Sequence, residues 1–146
     1  MISGRKRLNL KSYLIKSILM LVNLGAIMKK HTKENILKQY EKSGEIMYPA
    51  MLNGDYRKSN RESAKLRKIF REFENNTDLA DECIPELLKS SNVVVRSEAA
   101  AYCLALRRDI RLAEKILKDI ASDPNSKIFG LNAEMTLKVW KEQGYL

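Results

Sequence analysis

Histidine and cysteine are nearly absent from this chain: His31, Cys83 and Cys103 are the whole supply. There is no CxxC pair, and His31 lies in the N-terminal segment. Zinc sites built from Cys and His are therefore excluded, as is a histidine-dependent triad within the body. The two cysteines fall beside Ile84 and Leu104 on separate predicted helices. They read as buried thiols of a cytoplasmic protein, with a disulfide as the lesser alternative. Three prolines and six glycines are too few for a loop-rich or disordered chain. β-Branched residues cluster only at Val93-Val94-Val95, and period-two alternation is missing, so the expected class is all-α. No apolar run reaches the roughly 20 residues that a membrane-spanning helix needs. Gly-rich phosphate loops, nucleophile elbows and metal-ligand clusters are also missing from the sequence. Glu82, Glu86, Asp109, Glu114 and Asp119 sit mostly at solvent-facing helical spacing. The expectation is a non-enzymatic protein without a cofactor.

Hydrophobic residues make up 45% of the 146, enough for one domain with one core. The net charge is +9, but Arg5, Lys6, Arg7, Lys11 and Lys16 lie in residues 1–27, which hold no acid. Residues 28–146 carry the remaining +4. There both signs mix along the helical faces, as on an ordinary helix bundle.

Residues 1–27 read as an extension to the domain. A basic start is followed by an apolar run, Ser17 to Met28, in the outline of a signal peptide. Lys16 crowds the run, a small-x-small cleavage site is missing, and Lys29-Lys30 follow. Leu24 to Met28 can be encoded with a purine-rich ribosome-binding segment just upstream of an ATG. Met28-Lys29-Lys30 is also a common bacterial opening. An over-extended gene start is the preferred reading, ahead of an amphipathic N-terminal helix and of a targeting or anchoring segment.

Six helices follow from the apolar periodicity. The first runs from about Lys33 to Leu52 behind Thr32 as N-cap, with Ile36, Leu37, Tyr40, Met47 and Met51 inward. Gly44 interrupts its pattern, and Pro49 is expected to kink or end it. Asn53-Gly54-Asp55 is a turn. The second helix, about Tyr56 to Asn75, places Tyr56, Asn60, Ser63, Leu66, Ile69, Phe70 and Phe73 inward. Arg57, Lys58, Arg61, Lys65, Arg67, Lys68 and Arg71 make its other faces basic, with Glu62, Glu72 and Glu74 as partial counter-charges. Asn76-Thr77-Asp78 caps a third helix that Pro85 either shortens or delays to about Ile84. The fourth spans Asn92 to Leu106, the fifth Ile110 to Ala121, and the sixth about Ser126 to Gln143. The sixth has Ile128, Phe129, Ala133, Leu137 and Trp140 inward, and Gly144 stops it.

The fourth and sixth helices look like one helix written twice. At an offset of 33, Ala100 falls on Ala133, Leu104 on Leu137, Val95 on Ile128 and Tyr102 on Met135. The turns Ser90-Ser91-Asn92 and Asp123-Pro124-Asn125 precede the two copies. Each copy is associated with an amphipathic helix. That period marks a stacked helical repeat, whose units bury their apolar faces only against neighbours.

Val95-Arg96 after a short turn, with Ala99-Ala100 within the next turn, resembles the second helix of HEAT repeats. The second copy departs from it, with Phe129 at the Arg96 position and Asn132 at the Ala99 position. From Leu37 to Trp140 the chain also resembles a family of small bacterial HEAT-like helical domains. Lys58-Ser59-Asn60-Arg61, Val95-Arg96 and the ending Ala133 to Trp140 carry that resemblance. It implies a short α-α superhelix of five to six helices over residues 28–146. Such domains are sometimes encoded beside toxin genes as immunity proteins, and a cognate toxin is then the expected protein partner. Nucleic-acid binding through the basic face of the second helix is the alternative and is disfavoured.

Aromatic residues and arginine dominate binding hot spots. Tyr56, Asn60, Arg61, Arg96, Tyr102 and Trp140 are therefore the candidate partner contacts. Each also has a structural reading. Tyr102 and Trp140 would fill the core or a groove, Arg96 would tie one repeat to the next, and Asn60 would cap a backbone group.

Overall fold

A computed structural model of the chain describes residues 14–18 and 31–144. Most of the apolar run from Ser17 to Met28 lies outside the described residues. The contacts divide the chain into two compact units, residues 1–35 and residues 36–146. In the first, residues 14–18 are helical, and Thr32 Oγ1 accepts a hydrogen bond from Asn35 N at 3.3 Å, as an N-cap does.

The second unit is built from α-helices. α1 is Lys33–Leu52, of which the part from Ile36 onward belongs here. α2 is Tyr56–Asn75, α3 Thr77–Leu88, α4 Val93–Ala105, α5 Ile110–Ser122 and α6 Ile128–Gln143. A 3-10 turn, Pro124–Ser126, joins the last two. Side-chain caps also start α2, α3 and α4. Asp55 Oδ1 accepts from Lys58 N, Asn76 Oδ1 from Leu79 N, and Asn92 Oδ1 from Val94 N. Gly144 ends α6 in the left-handed conformation (φ 71°), its N–H donating to Trp140 O.

Two prolines are accommodated inside helices. α1 continues through Pro49 to Leu52, because the proline removes one donor and the last turn keeps Asn53 N to Pro49 O at 3.0 Å. α3 likewise carries Pro85 in its interior and starts at Thr77, not near Ile84. Cys83, Ile84, Leu87 and Leu88 are all buried around that position, so packing offsets the missing donor.

Consecutive helices pack on one another from α2 to α6, and α4 also packs on α6. α4 is central. Val94, Val95, Ala99, Ala100, Tyr102, Cys103 and Leu104 are buried, which covers most of its circumference. α5 and α6 are buried along one stripe each: Ala113, Leu117 and Ile120 on α5, and Phe129, Gly130, Ala133 and Leu137 on α6. This difference qualifies the repeat. Ala100 and Ala133, and Leu104 and Leu137, are buried in both copies. Val95 and Tyr102 are also buried, but their counterparts Ile128 and Met135 are 37% and 58% exposed. The expected inward Ile128 therefore faces outward, and α6 begins there rather than at Ser126.

The register of α2 also differs from expectation. Its buried face is Ser59, Glu62, Leu66, Ile69 and Phe73, while Tyr56 and Asn60 are exposed. Two polar residues lie on the inward face because they find polar partners. Glu62 Oε2 accepts from Ser43 Oγ at 2.9 Å, and Gln39 Nε2 donates to the same Ser43 oxygen at 2.8 Å. Among the described residues no helix is long and apolar enough to cross a membrane.

Candidate functional site

The two turns recognised as equivalent in the repeat open on the same side of the second unit and line one groove of ≈ 450 Å³. α1 contributes Glu41, Glu45 and Tyr48, one helical face at i, i+4 and i+7. The α3–α4 turn contributes Ser91, Asn92 and Val93, and the 3-10 segment contributes Asp123, Asn125 and Ser126. Arg96 and Phe129 complete the lining. A second hollow of ≈ 290 Å³ shares Arg96, Asp123 and Ser126 and extends the surface across Ile116, Asp119 and Ile120 of α5.

The groove wall is fixed by local bonds. Ser90 Oγ donates to Glu41 Oε1 at 2.6 Å and accepts from Asn92 N at 3.1 Å. Arg96 Nη1 donates to the carbonyls of Ser90 and Ser91 at 2.9 and 3.0 Å. Asp123 Oδ1 accepts from Asn125 N at 2.9 Å. The rings of Tyr48 and Phe129 stack at 4.9 Å with an interplanar angle of 18°. Phe129 is buried and Tyr48 remains exposed, so the pair gives the groove a rigid aromatic edge. Glu41, Glu45 and Asp123 face a single cationic lining residue, Arg96. The groove is thus acidic on a chain of net charge +9.

The six residues singled out by sequence do not form one site. Arg96 alone lies in the groove, and its tie runs to backbone carbonyls of the preceding turn rather than to an acid. Tyr56, Asn60 and Arg61 stand together on the exposed side of α2, with Tyr56 73% exposed. Asn60, being exposed there, does not belong to the inward stripe. Tyr102 is a core residue, stacked on Phe70 at 4.5 Å and edge-on to Tyr40 at 6.1 Å. Burial, with the charge of Glu98 added, lifts its hydroxyl far above the ordinary tyrosine range. At 7% exposure Tyr102 does not offer a contact surface. Trp140 is half-buried. Its Nε1 donates to Glu114 Oε1 at 3.2 Å, and the Arg107 guanidinium lies 5.8 Å from the ring centre.

A smaller cavity of ≈ 100 Å³ lies between α1, α4 and α6, lined among others by Ser97, Glu98, Asn132 and Thr136. Burial raises the Glu98 carboxyl above its usual range, against the pull of Arg67. Among the described residues no group of three or more His, Cys, Asp or Glu is placed to hold a metal ion.

No family model matches the chain, and neither a curated protein nor a solved structure matches it. The likeness to HEAT repeats rests on the residues already quoted. The comparisons establish no family for the chain, and the fold stands as a small all-helical domain.

Proposed function

We propose that this chain is a non-enzymatic protein-binding module and, within that class, an immunity protein that blocks a cognate toxin. The groove carries the reading. Two repeat turns, a rigid aromatic edge and an excess of carboxylates form a concave surface whose walls are already fixed by hydrogen bonds. Preorganised walls lower the ordering cost of binding. Charge complementarity selects a partner segment bearing Lys or Arg beside an apolar side chain. Cations of the partner meet Glu45 in the groove and Asp119 in the adjoining hollow, and the apolar group meets Tyr48.

The test is co-expression of the adjacent toxin gene with and without this protein. Rescue by the wild type and loss of rescue by E45K/D119K, with an unchanged helical spectrum, is the expected result. Both carboxylates are exposed. Absence of a neighbouring toxin, or of rescue, removes the immunity reading. Full rescue by E45K/D119K removes the groove as the docking surface.

A second reading has an observation behind it. Glu62, expected as a surface counter-charge on α2, is turned into the core, where Ser43 and Lys65 hold it. Arg57, Arg61, Lys68 and Arg71 remain exposed on one side of the helix, and among the described residues none of them forms an ion pair. Such a stripe suits a phosphodiester backbone. Affinity for an oligonucleotide would then fall with salt at a slope of about −0.7 per phosphate contact for single strands. Flat or absent binding at low salt removes this reading.

A further inference from the structure

α6 turns a second, unused face to solvent. Phe129, Ala133 and Leu137 are buried on one side. Opposite them stand Ile128, Leu131, Met135 and Val139, which are 37%, 52%, 58% and 37% exposed. The spacing i, i+3, i+7, i+11 makes these four one continuous stripe, about 16 Å long at 1.5 Å per residue. Isolated exposed apolar residues need no account, but a continuous row on one helix marks an interaction surface.

We propose that this stripe is a self-association surface on which α6 pairs antiparallel with α6 of a second copy about a two-fold axis. Three features favour a second copy over an unrelated helix. First, the stripe is nearly palindromic. With the axis near Ala133, Ile128 of one copy meets Val139 of the other, and Leu131 meets Met135. A two-fold interface requires that self-complementarity.

Second, this register leaves Lys127 of one copy two to three residues, about 4 Å along the axis, from Glu142 of the other at both ends of the stripe, within reach of the two side chains. Both residues are exposed and lie outside the helix's buried side. Third, each of these charges opposes its own helix dipole, a cation at the N-terminus and an anion at the C-terminus. Antiparallel pairing sets each beside the opposite pole of the neighbouring helix and beside its counter-charge. Repeat position supports the need for a cover. Val95 and Tyr102, which correspond to Ile128 and Met135 in the first copy of the repeat, are buried.

This inference is independent of the groove, to which α6 contributes only Phe129 from its inward side. A single helix pair lies at the small end of specific interfaces, so the dimer dissociates on dilution.

Sedimentation equilibrium of the full chain from low to high micromolar concentration tests the proposal. The wild type is expected to shift from monomer to dimer across that range. L131E/M135E, at the two most exposed positions, is expected to weaken association about tenfold or more, each factor of ten being about 1.4 kcal/mol. K127E and E142K should each weaken it. The double swap K127E/E142K should recover most of the loss, which no merely structural role for either residue would produce. A wild type that stays monomeric throughout overturns the proposal. So does a dimer that L131E/M135E leaves intact while its helical spectrum is unchanged. Single swaps that weaken association without rescue by the double swap overturn the antiparallel register.

Discussion

A Cβ added to Gly44 would lie 2.7 Å from Val95 Cγ2 and 2.9 Å from Asn92 Nδ2. Gly44 is therefore the point where α1 crosses the start of α4. Asn92 is the N-cap of that helix, so the crossing is held against the capping residue itself. Contacts this close leave no space for a methyl group. Gly44→Ala would gain about 1 kcal/mol of helix propensity and lose about 1–3 kcal/mol to overpacking. Both neighbours are anchored, one as core and one as cap, so the loss is expected to win. Denaturant melts should show a net destabilisation of up to about 2 kcal/mol. An unchanged or raised midpoint would mean that α1 shifts freely away from α4.

Lys127 adopts φ 51° and ψ −126°, a combination that glycine reaches without penalty and side chains rarely adopt. It connects the 3-10 turn to α6. Lys127→Gly is expected to raise the stability of the monomer by about 1 kcal/mol, since strain of this kind costs about 1–3 kcal/mol and glycine's unfolded-state entropy takes part of it back. Thermal melts under dilute conditions read this without contribution from association.

Cys83 and Cys103 form no disulfide and are completely buried. Burial pushes the Cys103 thiol up to about 12, with the charge of Asp109 adding to it. Since the thiolate is the reactive form, neither cysteine is expected to react with a disulfide reagent at pH 8 while the chain is folded. Both should titrate in denaturant, and the native reaction rate should follow the unfolding rate. A rapid burst of one thiol in the folded state would contradict the burial.

The all-α class, four of the six helix starts and the buried thiols were legible because each depends on local spacing or capping chemistry. Pro85 misled in suggesting a start near Ile84, since the cost of one missing hydrogen bond is small beside the apolar surface buried around Ile84 and Leu87. α2 misled for a related reason. Periodicity ranks Glu62 as solvent-facing, and nothing near it in sequence reveals that Ser43 of another helix supplies a buried partner. Tyr102 scored as a contact by residue type alone, although Phe70 and Tyr40 enclose it. In the groove, Glu41, Glu45 and Tyr48 share a helical face that sequence spacing displays. Their meeting with Asp123 and Phe129 is a product of how α1 packs across α4 and α6.

Glu62 provides the pH-dependent prediction. Its side chain is nearly inaccessible and accepts from Ser43 at 2.9 Å and from Lys65 Nζ at 2.9 Å. Burial by itself would raise the carboxyl. The bonds from Lys65 and Ser43, with the charges of Lys65 and Lys42, outweigh it and hold the group below its ordinary 4.5. A carboxyl depressed in the folded state contributes stability that is complete above the unfolded value and is lost as pH falls through the folded one. Glu62→Gln keeps the shape and removes the charge. The wild type should therefore exceed E62Q in unfolding free energy by a constant margin at neutral pH, and the margin should close as pH drops below 4.5. Glu62→Ala should cost more, about 1–3 kcal/mol, because the buried Ser43 hydroxyl loses its acceptor. Urea melts of the three proteins at neutral and acidic pH distinguish these outcomes. A margin independent of pH would show that packing, not the ionised carboxylate, is what Glu62 supplies.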